Sequence, residues 1–208
     1  MTFPRTTFLA VCAACALLSA CATTGGAPPS THTVAPYRDN IELSGRLAVS
    51  YQRDGKPQAL SGKFTWRQSA AATDVTLVSP LGQTIAAIAV TPTAATLTQS
   101  GQAPRTAADI DTLSAQALGW SLPVSGLRDW LQGYALDADG RRFVASPLHD
   151  SVTTRDGWRL RFVSWQEPGD GPGAGAALPR PKRIDAERSA GPQSEPVAIR
   201  IVIDPVQP

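Results

Sequence analysis

The chain has 208 residues and a nearly balanced charge, 19 lysines and arginines against 17 acids, for a formal +2. No cluster of basic residues suggests a nucleic-acid-binding face. Two histidines, with no cysteine beyond position 21, leave no ligand set of the kind that holds zinc.

Residues 1–20 begin with one cation, Arg5, and continue in an apolar run from Phe8 to Leu18. That run falls well short of the roughly 20 residues a membrane-spanning helix needs. A basic start, a short apolar core and small residues beyond it describe a secretory signal peptide. It closes on Leu18-Ser19-Ala20-Cys21, which resembles the lipobox of bacterial lipoproteins. The resemblance implies cleavage before Cys21 and acylation of Cys21 itself, the lipid attachment residue. Each buried methylene contributes about 0.8 kcal/mol, so several acyl chains hold a protein on its membrane permanently. Ala22 stands where an aspartate commonly marks inner-membrane retention in such lipoproteins, which implies the outer membrane. Cys12 and Cys15 have CxxC spacing, but they fall in the discarded leader and lack the folded context that metal or redox use requires. Residues 21–37, rich in Thr, Gly, Pro and Ala, read as a lipid-anchored flexible tether that includes His32. Residues 38–208 are enough for a single domain.

Alternation then begins. In IELSGRLAVSY, Ile41, Leu43, Leu47, Val49 and Tyr51 share one face, and Glu42, Ser44, Arg46 and Ser50 the other, as in a half-buried strand. LSGKFTWRQ repeats this with Leu60, Phe64 and Trp66 inward, and RDGK (Arg53–Lys56) signals the hairpin between the two strands. DVTLVS, QTIAAIAV and the weaker AATLTQ extend the series. The period changes at TAADIDTLSAQALGW, where Ile110, Leu113, Ala117 and Leu118 fall at helical spacing, with Thr106 or Asp109 as cap and Gly119 as stop. A second short helix fits VSGLRDWLQG, with Leu127, Trp130 and Leu131 on one side and Gly133 as terminator. Strands resume after DADG, and SVTTRDGWRLRFVSW forms a hairpin around Asp156-Gly157. Residues 167–177 read as a flexible loop insert, and KRIDAER with VAIRIVID as a last hairpin.

About ten or eleven short strands with one apolar face, broken by a helical pair, predict a mainly β fold. The expected architecture is an incomplete antiparallel β-barrel with a helical lid, enclosing a hydrophobic cavity. Candidate cavity residues are Leu47, Val49, Phe64, Trp66, Leu77, Ile88, Leu160, Phe162, Ile199 and Ile201, although the same pattern also fits an ordinary packed core. Leu127, Trp120 and Trp130 belong to the lid. No catalytic constellation emerges: His32 lies in the tether, and His149 in a turn-like SPLHDS, with no serine or metal partner arranged beside either. No glycine-rich phosphate loop opens a helix, and no cofactor is expected. The chain reads as a non-enzyme.

SPLGQT (Ser79–Thr84) links two strands. Ser79, Pro80 and Gly82 suit the first, second and fourth positions of a type I turn, which leaves Leu81 at the third, on the tip. Leu81 either folds back on its neighbours or probes lipid or a partner, where burial would contribute about 2 kcal/mol.

From Ile41 to Asp204 the sequence resembles the LolB family of outer-membrane lipoprotein receptors. The marks are LSGRLAV, SGKFTW, SPLGQT, LGWSLPVSGLRDWLQG, GWRLRFVSW and LPRPKRID with IRIVID, in that order behind the lipobox. The resemblance implies a monomer that accepts acylated lipoprotein cargo from a LolA-like periplasmic carrier and inserts it among outer-membrane lipids. It also implies a membrane-insertion loop at Pro80, Leu81 and Gly82. The chain would sit lipid-anchored in the outer membrane, facing the periplasm. It departs from the family pattern in the Gly/Pro-rich stretch at 169–175 and in the terminal DPVQP, where Pro205 should stop the last strand. The alternative is a structural or assembly lipoprotein that binds proteins and has no lipid cavity. A free shuttle like LolA conflicts with an anchored Cys21.

Overall fold

The structure is a computed structural model that describes residues 33–53, 55–118, 122–166, 178–191 and 195–205, with only the backbone at 117 and 118. Cys21, His32, Gly119, Trp120 and the expected loop at 167–177 lie outside the described residues.

The period-two segments form one long antiparallel sheet. Its first strands are β1 (Ile41–Arg53), β2 (Lys56–Gln68), β3 (Thr73–Val78), β4 (Thr84–Val90), β5 (Ala95–Gln99) and β6 (Arg105–Ala107). After the helices α1 (Ile110–Leu118) and α2 (Val124–Trp130) come β7 (Tyr134–Leu136), β8 (Arg142–Val144), β9 (Ser151–Thr153), β10 (Arg159–Trp165), β11 (Pro181–Arg188) and β12 (Val197–Ile203). Ten strands run in the order β6-β5-β4-β3-β2-β1-β12-β11-β10-β9, and β7 pairs only with β8. The sheet does not close, since β6 and β9 are its two edges. The fold is therefore mainly β, an incomplete barrel with two helices.

Register follows the apolar faces, because a slip of one residue would turn every inward side chain outward. Leu47 opposes Ile201 and Val49 opposes Ile199 across β1 and β12. Gly45 opposes Phe64, and a Cβ there would lie 2.8 Å from the Phe64 ring and 2.2 Å from the Val202 carbonyl oxygen. The glycine of LSGRLAV is thus a close-approach position, over which the Phe64 ring lies.

Two short elements depart from the sequence reading. Thr106 sits in β6 rather than capping a helix. Asp109 is the cap: the Thr112 backbone N–H donates to its Oδ1 at 2.7 Å and the Thr112 hydroxyl to its Oδ2 at 2.8 Å. Those hydrogen bonds, the backbone one first, hold the Asp109 carboxyl below its ordinary range. Tyr134–Leu136 is a strand that three residues of sequence could not announce. Gly133 ends α2 as expected, at φ +86° with its N–H on the Trp130 carbonyl. The last strand stops at Ile203, one residue before Asp204, whose N–H still reaches the Ser44 carbonyl at 2.9 Å.

Residues 33–38, read largely as tether, pack as a strap. Val34 is only 4% exposed, and its N–H donates to the Ala145 carbonyl. The Ala35 N–H reaches the Pro179 carbonyl, and the Ala35 carbonyl accepts from the Tyr134 hydroxyl at 2.8 Å. Tyr37 meets Tyr134 edge to face at 5.7 Å. Gln132 donates to the Arg38 carbonyl and accepts from the Arg38 N–H. The strap therefore joins the start of β1 to the C-terminal end of α2.

Candidate functional site

The interior has two unlike halves. Beside β8, the inward side chains of β10 and β11 are buried. Phe162 is fully buried between Phe143, 6.1 Å away, and Trp165, 6.2 Å away, both stacked on it. Leu160 and Ile199 are buried in the same half.

The other half, under α1 and α2, holds a hollow of about 100 Å³. Leu47 and Val49 of β1, Phe64 and Trp66 of β2, and Leu77 of β3 form its floor. Ile85, Ala86 and Ile88 of β4, with Leu97 of β5, make the far wall. The roof is Ile110 and Ser114 from α1, and Leu122, Val124, Leu127 and Leu131 from α2 and its flanks. Among the described residues, only Gln99 and Ser114 bring polar aliphatic side chains to this lining, and the Ser114 hydroxyl is occupied. It donates to the Asp111 carbonyl at 3.0 Å and accepts from the Leu122 N–H at 2.8 Å. The Trp66 indole N–H donates to Gln68 Oε1 at 3.1 Å, and Gln68 Nε2 donates on to the Tyr37 hydroxyl at 2.9 Å. The Ser114 and Trp66 donors are both occupied, and apart from Gln99 what faces the hollow is hydrocarbon.

The two helices are tied to each other and to the sheet. Ser125 donates from α2 to Asp111 Oδ2 on α1 at 2.8 Å. Burial pushes the Asp111 carboxyl above its ordinary range, and among the described residues its Oδ1 has no hydrogen-bond partner. From α2, Arg128 reaches over the turn between β2 and β3. Its Nη2 donates to the Ser69 carbonyl at 2.7 Å, and its Nη1 to the Ala72 carbonyl and the Thr73 hydroxyl.

The hairpin that makes the far wall carries an exposed tip. A turn closes from the Gly82 N–H to the Ser79 carbonyl at 2.9 Å, and Gly82 takes φ +84°. The Gln83 N–H donates to the Ser79 hydroxyl at 3.2 Å. Leu81 stands on this tip 88% exposed, so it does not fold back on its neighbours.

The ten residues named as cavity candidates therefore divide. Leu47, Val49, Phe64, Trp66, Leu77, Ile88 and Ile201 border the hollow. Leu160, Phe162 and Ile199 do not: all three are buried away from it, Phe162 against Phe143 of β8. Of the lid residues, Leu127 faces the hollow, whereas Trp130 turns away and packs edge-on against Trp158 at 6.0 Å. Arg128, Leu122 and Val124 were not singled out in the sequence. Val124 shares the helical face of Leu127 and Leu131, but nothing local marks Arg128, whose partners lie more than fifty residues away.

Fold and hollow together define an open antiparallel half-barrel, roofed by two helices over an apolar chamber. The family model described as "Outer membrane lipoprotein LolB" matches residues 39–205. A protein named outer-membrane lipoprotein LolB from Cupriavidus taiwanensis is 40% identical over 194 residues, covering 92% of each chain. Its namesake from Cupriavidus necator is 38% identical over 193 residues, again 92% of both. The chain belongs to the LolB family of outer-membrane lipoproteins. Among solved structures, a LolA superfamily protein from Nitrosomonas europaea aligns with 81% of this chain and 86% of its own, at a TM-score of 0.42 and 8% identity.

Proposed function

We propose that this chain takes acylated lipoproteins from a soluble periplasmic carrier into its apolar chamber and releases them into the outer membrane. It would act as a monomer, held there by acylated Cys21. One observation carries the reading: the β3–β4 hairpin supplies chamber wall at Leu77, Ile85 and Ala86 and, at its tip, presents Leu81 to the surroundings. A single element then links the place where a chain is held to the place where it leaves.

The physical problem is to move hydrocarbon without wetting it. A sixteen-carbon chain in water costs on the order of 12 kcal/mol at about 0.8 per methylene, so the cargo must pass from one apolar mouth to another. Direction comes from affinity, rising from carrier to receptor to bilayer. A lining without polar recognition suits chains of different length. The chamber's volume of about 100 Å³ is below the roughly 150 Å³ that admits benzene in an engineered cavity. Loading therefore requires the roof to lift, and the helix pair is the part to move.

The test uses the chain from residue 21 with Cys21→Ala, a labelled lipoprotein bound to its carrier, and lipid vesicles. The chain should take the label from the carrier and pass it to the vesicles. Leu81→Glu should accept cargo as before and deliver at least tenfold more slowly, because a carboxylate resists entry into the acyl region. Undiminished delivery by Leu81→Glu rejects the insertion role. The small volume also fits a protein-binding lipoprotein with no lipid chamber, and failure of a lipophilic dye to enter the chain would decide for that reading.

A further inference from the structure

We infer that Arg46 and Lys63, on the outer face of β1 and β2, form a docking point for anionic lipid headgroups beside the Leu81 tip. The inference rests on the insertion reading of that tip and adds the surface that orients it.

Arg46 and Lys63 are directly opposite in register and both exposed. Like charges placed so are destabilising, and elsewhere on this face the sequence avoids the problem. Arg67 pairs with Glu42 at 3.2 Å, while Arg183 and Arg200 share Asp185. Among the described residues, neither Arg46 nor Lys63 has an ion pair or side-chain hydrogen bond. The carboxylate diagonal to Arg46 is Asp204, which opposes Ser44 and takes the Ser44 hydroxyl at 3.4 Å. The other diagonal is Arg200, opposite Ala48, which adds positive charge.

Position supplies the partner. Lys63 opposes Val78, the last residue of β3 before the chain turns out to Leu81. Adjacent strands lie about 4.8 Å apart, so Lys63 is one spacing from the base of that turn and Arg46 two. Leu81 lies three positions beyond Val78, a reach of at most about 10 Å, which is the depth an interfacial apolar group occupies. With Leu81 in the acyl boundary, both cations lie within two strand spacings of the base of the inserted turn. A basic residue at an anionic leaflet contributes about fivefold to binding, so the two together contribute roughly 25-fold.

Flotation of the chain from residue 21 carrying Cys21→Ala, on phosphatidylcholine vesicles with and without phosphatidylglycerol, tests this at low salt. Wild type should prefer the anionic vesicles at least tenfold. Arg46→Gln with Lys63→Gln should abolish that preference, whereas Arg161→Gln with Lys182→Gln, on β10 and β11, should leave most of it. Lys63→Glu is the decisive single change: paired with Arg46 it should raise the melting temperature and yet lose the anionic preference. Three results overturn the proposal: no preference in the wild type, equal losses in both double variants, or loss of transfer from the carrier with vesicle binding intact, which would assign the pair to a protein partner. If Leu81→Glu leaves binding unchanged while the Arg46/Lys63 variants lose it, the docking point stands and the insertion role falls. The reverse pattern removes the docking point alone.

Discussion

Asp111 carries a cost that the rest of the helix pair tolerates. Its Oδ2 accepts from Ser125, but its Oδ1 is buried with no partner among the described residues, and burial raises its pKa. A carboxyl whose folded pKa lies above its unfolded value binds its proton more tightly in the fold. The cost is therefore present when the group is ionised, at neutral pH, and fades as pH falls through the folded pKa toward the unfolded one. Asp111→Asn keeps an acceptor for Ser125 and removes the charge. It should raise the melting temperature at pH 7, and the gain should shrink toward pH 4, as thermal unfolding across that range would show. An equal gain at both ends would mean that the burial of charge is not the cause. Leu81 is the contrasting residue, apolar and exposed on a turn that Pro80 and Gly82 shape. Its exposure was open in the sequence, since a turn of this type fixes the backbone and leaves the side chain free to fold either way.

At the scale of elements, the latch between α2 and the β2–β3 turn matters most. Arg128 satisfies the carbonyls of Ser69 and Ala72 and the hydroxyl of Thr73, in a place where α2 roofs the chamber. Hydrogen bonds to a charged group contribute about 1.5–3 kcal/mol. Arg128→Ala should lower stability by about that amount and admit a lipophilic dye several-fold faster. Hydrogen exchange should quicken in α2 more than in β1 or β2. Uniform acceleration everywhere would show a general loss of stability rather than a freed roof. The long strands were legible because thirteen residues of alternation leave one register that buries Val49, Phe64 and Trp66 together. β6 and β7 were not, since three residues cannot display a period. Their strand state comes from a neighbour already in place.

For the molecule as a whole, the strap joins the anchor side of the chain to the roof. Val34 packs against Gly133, where a Cβ on the glycine would come within 2.5 Å of its methyl group. Burial of one valine contributes about 1.5–3 kcal/mol, and the Tyr37–Tyr134 contact adds to it. A chain beginning at residue 33 should melt with the full mature chain. One beginning at residue 39 should melt roughly 4–8 °C lower, at about 2–4 °C per kcal/mol, as a calorimetric scan would register. Equal melting of the two would show that the strap is only laid on the surface. The open sheet itself is accounted for by its cover: two helices over β1 to β5, and Phe143 of β8 against Phe162 of β10.

By itself the sequence determined the local matters: the strands whose alternation exceeds two periods, the helix stop at Gly133, and a turn with a leucine at its tip. These depend on neighbours a few residues apart, through backbone propensity and the period of the apolar face. Only the tertiary structure decided that the hollow lies before Leu47 and Ile88 and not before Phe162, that Arg128 holds the roof, and that Arg46 meets Lys63. Alternation says which way a side chain points and is silent on what covers it. Whether an apolar face borders a solid core or a void depends on segments a hundred residues distant, and so does the pairing of like charges across two strands.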